Sequence, residues 1–147
     1  MSNDVLVWFS RKHLDPVYQV DTVGLSRVQQ IAACRAALEF VRPRADRLQL
    51  EVPWQWAESW PEDVVEAASI LAPKREAYEV TGWVTPIEEH HWKAFVALAP
   101  FAFTADVWSF HMTELADVSN EATIIVVRIP PHDLARLRDA VAPARVT

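Results

Sequence analysis

The segment Leu48-Gln49-Leu50-Glu51-Val52-Pro53-Trp54-Gln55-Trp56-Ala57-Glu58-Ser59-Trp60-Pro61-Glu62-Asp63 changes its periodicity part-way along. Leu48, Leu50, Val52 and Trp54 alternate with Gln49, Glu51 and Pro53, which is the period of a half-buried strand. Ser59 followed three residues later by Glu62 has the form of a capping box, in which hydroxyl and carboxylate each satisfy an orphan backbone donor. Pro61 falls in the first turn, where its missing N–H costs nothing. A strand is therefore followed by a helix, predicted over about Trp60 to Ala72.

The same alternation of patterns extends in both directions. Upstream, Val5 to Phe9 is a short β-branched and aromatic run that predicts a strand buried on both faces, and Arg11 to Thr22 reads as a loop. Ser26 and Gln29 form a capping box, and Ile31, Cys34, Leu38 and Val41 then share one helical face until Pro43 ends the helix near Arg42. Downstream, Tyr78, Val80, Gly82 and Val84 alternate, and Thr85, Pro86 and Glu88 repeat the box-plus-proline signature of a helix that ends before Pro100.

Asp106 to Met112 predicts a strand with Trp108, Phe110 and Met112 on one face, and Leu115 to Asn120 reads as a polar connection. Thr123 to Ile129, β-branched almost throughout, predicts a central strand; after Pro130 and Pro131 a last helix carries Leu134, Leu137 and Val141 on one side. The predicted order is βαβαβαββα: a single α+β domain over residues 1–147, with a mixed five-stranded sheet, about four helices and one antiparallel ladder from the late strand pair.

Composition bounds what such a domain can do. A chain of 147 residues, 51% hydrophobic and 23% charged, can bury roughly two thirds of its unfolded surface and needs no disulfide or metal staple. Gly24 and Gly82 are the only glycines, which excludes a P-loop or a G-x-G-x-x-G turn. Cys34 is the only cysteine, so neither an internal disulfide nor a C-x-x-C pair can form, and its place on an apolar helix face predicts an inert thiol. Met1 to Phe9 contains Asp4 and a short apolar run where a signal peptide needs a basic start and a longer hydrophobic stretch. With no apolar segment near 18 residues, the expectation is a cytoplasmic protein without a membrane partner.

The net charge of -6 is unevenly spread. From Glu51 to Glu121 there are 13 acidic residues against Lys74, Arg75 and Lys93, and six of the seven tryptophans lie in the same stretch. Carboxylates must stay wet whereas an indole hides a large apolar area, so their mixture predicts an amphipathic surface. It is densest from Glu51 to Asp63, on a strand end, a connection and a helix start. Trp54, which continues the strand alternation, and Trp60, which can staple against Val64, also read as core, leaving Trp56 as the stronger interface candidate. Glu62 and Asp63 have a structural role of their own as favourable charges at a helix N-terminus.

Catalytic signatures are weak. Glu88-Glu89-His90-His91 resembles a metal motif, but His91 falls in the apolar stripe of Ile87, Ala94, Phe95 and Leu98 while Glu89 points away, so these neighbours are not expected to clasp one ion without His111 or Asp106. No G-x-S-x-G elbow exists. No catalytic residue, metal or cofactor is assigned. The leading enzymatic alternative is a glycan-acting protein in which tryptophans stack on sugar and two of Glu51, Glu58, Glu79 and Asp106 form an acid/base pair. Nucleic-acid binding is disfavoured because the aromatic-rich region has the wrong sign, and Arg42, Arg44 and Arg47 read as a solvated face.

An acidic surface with aromatic anchors suits a basic protein partner, since carboxylates steer the encounter and buried indoles supply the few contacts that dominate affinity. In general character, though in no motif, the chain resembles immunity proteins and antitoxins that neutralise toxic enzymes. That resemblance implies inhibition by occluding a cationic site, such as that of a nuclease toxin. Glu51, Trp56 and Glu58 are the expected contacts, with Trp54, Glu62 and Asp63 in support. A structural or assembly subunit is the second alternative.

Overall fold

A computed structural model describes residues 14–147, and the strand expected over Val5–Phe9 lies outside the described residues. The described elements run β1 (Val17–Asp21), α1 (Arg27–Glu39), β2 (Arg47–Val52), α2 (Glu62–Leu71), β3 (Glu79–Val80), α3 (Glu89–Leu98), β4 (Thr104–Trp108), β5 (Glu114–Ser119), β6 (Ile124–Arg128), α4 (Leu134–Val141) and β7 (Arg145–Val146). All seven strands join one sheet in the order β3-β2-β4-β5-β6-β1-β7, and every neighbouring pair is antiparallel.

The architecture is α+β, but the expected mixed five-stranded sheet is corrected to a seven-stranded antiparallel one. The helix count changes too, because four 3-10 turns accompany the four α-helices of the described residues. Three strands were unrecognised. β1 lies in the expected loop and pairs with β6 along Val17–Asp21, about a hundred residues away in sequence. β5 lies in the expected polar connection: Ser109 to Thr113 reverse the chain through Ser109 N–H to Thr113 O and Met112 N–H to Ser109 O bonds. The expected strand through Met112 therefore stops at Trp108, and β5 returns beside β4. β7 is two residues on the sheet edge.

Local signals explain the remaining elements. The Ser26 hydroxyl accepts from Gln29 N–H at 3.2 Å, and the Gln29 amide accepts from Ser26 N–H at 3.1 Å, so α1 begins with the expected capping box. The box expected at Ser59 does not form. Trp54–Ser59 coil into a 3-10 turn, the Ser59 hydroxyl donates to Trp56 O at 2.9 Å within it, and Pro61 precedes α2 without a side-chain cap. At α3 the cap moves to Glu88, whose N–H donates to His91 Nδ1 at 3.1 Å.

One face of the sheet carries Val20, Leu48, Leu50, Val52, Ala105, Val107, Ala116, Val118, Ile125 and Val127, all sealed in the core with Cys34, Leu38, Phe95, Leu98, Leu137 and Val141 of the helices. α2 packs on α3, and α1 packs on α4. The opposite face is outside that core: Trp108 and Val126, for instance, do not join it. Such one-sided burial is what an antiparallel sheet permits, and among the described residues no helix packs on that second face. No helix of the described residues is long and apolar enough to cross a membrane.

Candidate functional site

The acidic, tryptophan-rich segment divides between several environments. Trp54 is half-buried: its indole N–H donates to Ala72 O at 3.0 Å, its ring lies 5.9 Å from that of Trp60, and the Arg75 guanidinium sits 4.9 Å above it. Trp60 is 8% exposed and belongs to the core. The 3-10 turn rotates Trp56 the other way, leaving it 40% exposed beside Glu58, which faces solvent. Trp56, Ser59 and Trp60 line a groove of about 340 Å³ with Arg27, Phe101 and Glu121. Glu62 and Asp63 are exposed in the first turn of α2, where the helix dipole favours them. Asp63 lines a different groove, with Arg35, Glu39, Glu89, Trp92 and Lys93.

Glu51 belongs to the open sheet face, where its carboxylate accepts from the Tyr78 hydroxyl. The six candidate residues therefore share a region of chain and not a single pocket. Glu58, Glu62 and Asp63 take part in no ion pair among the described residues. Glu79 is buried because the two-residue β3 points it inward opposite Val52, where it accepts from the N–H groups of Lys74 and Glu76; the apolar neighbours Tyr78 and Val80 are the exposed ones. The expected inward alternation is reversed there.

The open sheet face gathers a second set of carboxylates. Asp106 on β4 stands opposite Asp117 on β5, and Trp108 stands opposite Glu114. Asp106 Oδ2 accepts from Trp108 Nε1 at 2.6 Å and from Gln49 Nε2 at 3.0 Å, so two donors from adjacent strands fix its orientation. Partial burial pushes the Glu114 carboxyl above its ordinary range; Asp117 and Asp106 push it the same way, and Arg128 opposes them. Asp117 is raised first by burial and then by Asp106, against a hydrogen bond from the Ser119 hydroxyl. Trp83, 43% exposed, meets Trp108 edge-on at 6.0 Å beside this cluster. The Asp117 and Glu114 contribution lacked a sequence signal, because β5 itself reads as a connection.

The histidine motif is closer-knit than its sequence implies. Because α3 begins at Glu89, Glu88 lies off the helix, and ligand atoms of Glu88, His90 and His91 come within 4.8 Å of one another. His91 Nδ1, however, already accepts the Glu88 N–H, so a metal bound at that nitrogen would displace the helix cap. Cys34 is fully buried, and burial pushes its thiol up to about 12 against the lowering influence of Arg35 and Arg27.

Comparisons with protein-family models, with curated proteins and with solved structures each found no match to the chain.

Proposed function

We propose that the protein is a cytoplasmic inhibitor that binds a basic protein partner, in the manner of an immunity protein or antitoxin, and occludes its cationic site. The reading rests on one observation above the others. Trp56 is 40% exposed on the turn that carries the exposed Glu58 and leads to the exposed Glu62 and Asp63 in the first turn of α2, and none of these three carboxylates enters an ion pair among the described residues. An unpaired surface carboxylate keeps its long-range field, and an exposed indole can anchor an interface once desolvated. Glu51 and Trp54 act as supports, the first on the adjoining sheet face and the second beneath the turn.

The test uses the partner captured from the native host with the whole chain. Trp56→Ala is expected to weaken that complex by about 2 kcal/mol, and Glu58→Gln with Glu62→Gln to slow its formation. Unchanged affinity and association rate in both variants would remove the assignment. A second reading, carbohydrate hydrolysis, draws on the opposition of Asp106 and Asp117, with Asp117 raised so that a protonated and an ionised carboxyl can coexist. It calls for glycan hydrolysis that Asp106→Asn abolishes.

A further inference from the structure

We propose that Glu88, His90 and His91, at the start of α3, form a site for one divalent transition-metal ion of the zinc class, separate from partner binding by Trp56 and its neighbouring carboxylates. The donors are one carboxylate and two imidazoles, and their ligand atoms lie within 4.8 Å of one another. Among the described residues no other trio of histidine, cysteine or carboxylate donors gathers this closely. A helix alone would not assemble them, because consecutive residues fan out around its axis. Glu88 is the residue before α3 and its backbone is extended, at φ -84° and ψ 164°, which brings its carboxylate back over the first turn, where His90 and His91 stand.

The contact between two of the donors has the dimension of a coordination edge. His90 Nδ1 lies 3.4 Å from Glu88 Oε2, beyond the roughly 2.7–3.2 Å of a direct N–H···O hydrogen bond. Ligands held at about 2.0–2.1 Å in a tetrahedral shell stand roughly 3.3–3.4 Å apart, so an ion fits between these two atoms with little movement. The His91 ring packs on that of His90 with centroids 4.1 Å apart, which keeps the third donor at hand. All three side chains are at least partly exposed, so they can turn to close the remaining gap. Glu88 makes no ion pair with a lysine or arginine among the described residues.

The donor set also selects the ion. Two imidazole nitrogens with one carboxylate oxygen suit zinc, nickel or copper, whereas calcium and magnesium are held by oxygen ligands. The positive end of the α3 dipole opposes any cation at this position, so directional nitrogen bonds must hold the ion, and these zinc forms. Three protein donors leave a fourth tetrahedral position to water. Binding at His91 Nδ1 replaces the hydrogen bond that this atom accepts from the Glu88 N–H at 3.1 Å. Binding at Nε2 has the same consequence, because it moves the ring proton onto Nδ1 and ends that atom's role as acceptor. The metal thus takes over from the imidazole as the tie between Glu88 and the first turn of α3.

The test is a titration of the full chain with zinc sulfate, read by calorimetry and by the histidine ring resonances. One zinc per chain is expected, shifting His90, His91 and the Glu88 backbone N–H and leaving His111 and His132 in place, while magnesium and calcium produce no change. His90→Ala and Glu88→Gln should each weaken binding about tenfold or more. His91→Gln separates the two roles of that residue, because a glutamine there can accept the Glu88 N–H as in an ordinary capping box but leaves the ion one donor short. It should keep the melting temperature and lose about tenfold or more in zinc affinity. No saturable zinc binding, binding that all three variants leave unchanged, or shifts centred on His111 or His132 would overturn the proposal. None of these results would alter what Trp56→Ala does to partner association, so the two readings fail separately.

Discussion

Asp117 and Glu114 are ionised less readily in the folded chain than in the unfolded one, because partial burial and neighbouring carboxylates raise both. The sign of the linkage follows. Where the folded pKa exceeds the unfolded one, the native state holds more protons across the interval between them, and stability falls as pH rises through it. Asp117→Asn removes one of these groups, so its thermal stability relative to the original chain should improve as pH climbs from the ordinary carboxylate range to neutrality. Melting curves across that range check this, and a variant penalty that grows with pH would contradict it. Cys34 makes a separate residue-scale case: with its thiol pushed up to about 12 by burial, alkylation should be negligible in the native protein and rapid in denaturant. The burial of that thiol was legible in its place on an apolar helix face. The inward turn of Glu79 was not, because Tyr78 and Val80 show the better apolar alternation yet lie on a two-residue edge strand without a helix above them.

At the scale of elements, legibility followed how local the determining interaction is. The Ser26–Gln29 box spans three residues and formed as read, so Ser26→Ala should destabilise the fold by about 1 kcal/mol in denaturant melts. Leu137, fully buried on α4, should cost about 2–5 kcal/mol as alanine. A null effect at either position would mean that these helices do not dock as described. β6 was readable from Ile124 to Arg128, because β-branched residues fit a pleated surface whatever their partner. β1 and β5 were not, for opposite reasons. Pairing with distant β6 defines β1, and no pattern over five residues reveals a partner a hundred positions away. β5 carries Glu114, Asp117 and Ser119 on its solvent side, residue types that strands ordinarily avoid. The polar character that disguised it is the feature that gives the open face its charge.

For the whole molecule, the seven antiparallel strands divide the chain's chemistry into two sides. The apolar face of the sheet packs under all four described helices, whose outer surfaces carry Glu62, Asp63 and Glu89; the opposite face carries Asp106, Asp117, Glu114 and Arg128. The -6 net charge is thus carried on the helical layer as well as on the open sheet face. The sequence located the acidic stretch but not its division, since Glu51, Trp56 and Asp63 are neighbours along the chain and point to different surroundings once the 3-10 turn and α2 intervene. An association driven by this field must be screened by salt. The most direct measurement is the association rate of the captured basic partner as ionic strength is raised. A steep fall, flattened by Glu58→Gln with Glu62→Gln and accompanied by faster dissociation in Trp56→Ala, is the expected result. A rate indifferent to salt in the unmodified protein would contradict the claim that its acidic surface recognises a cationic target.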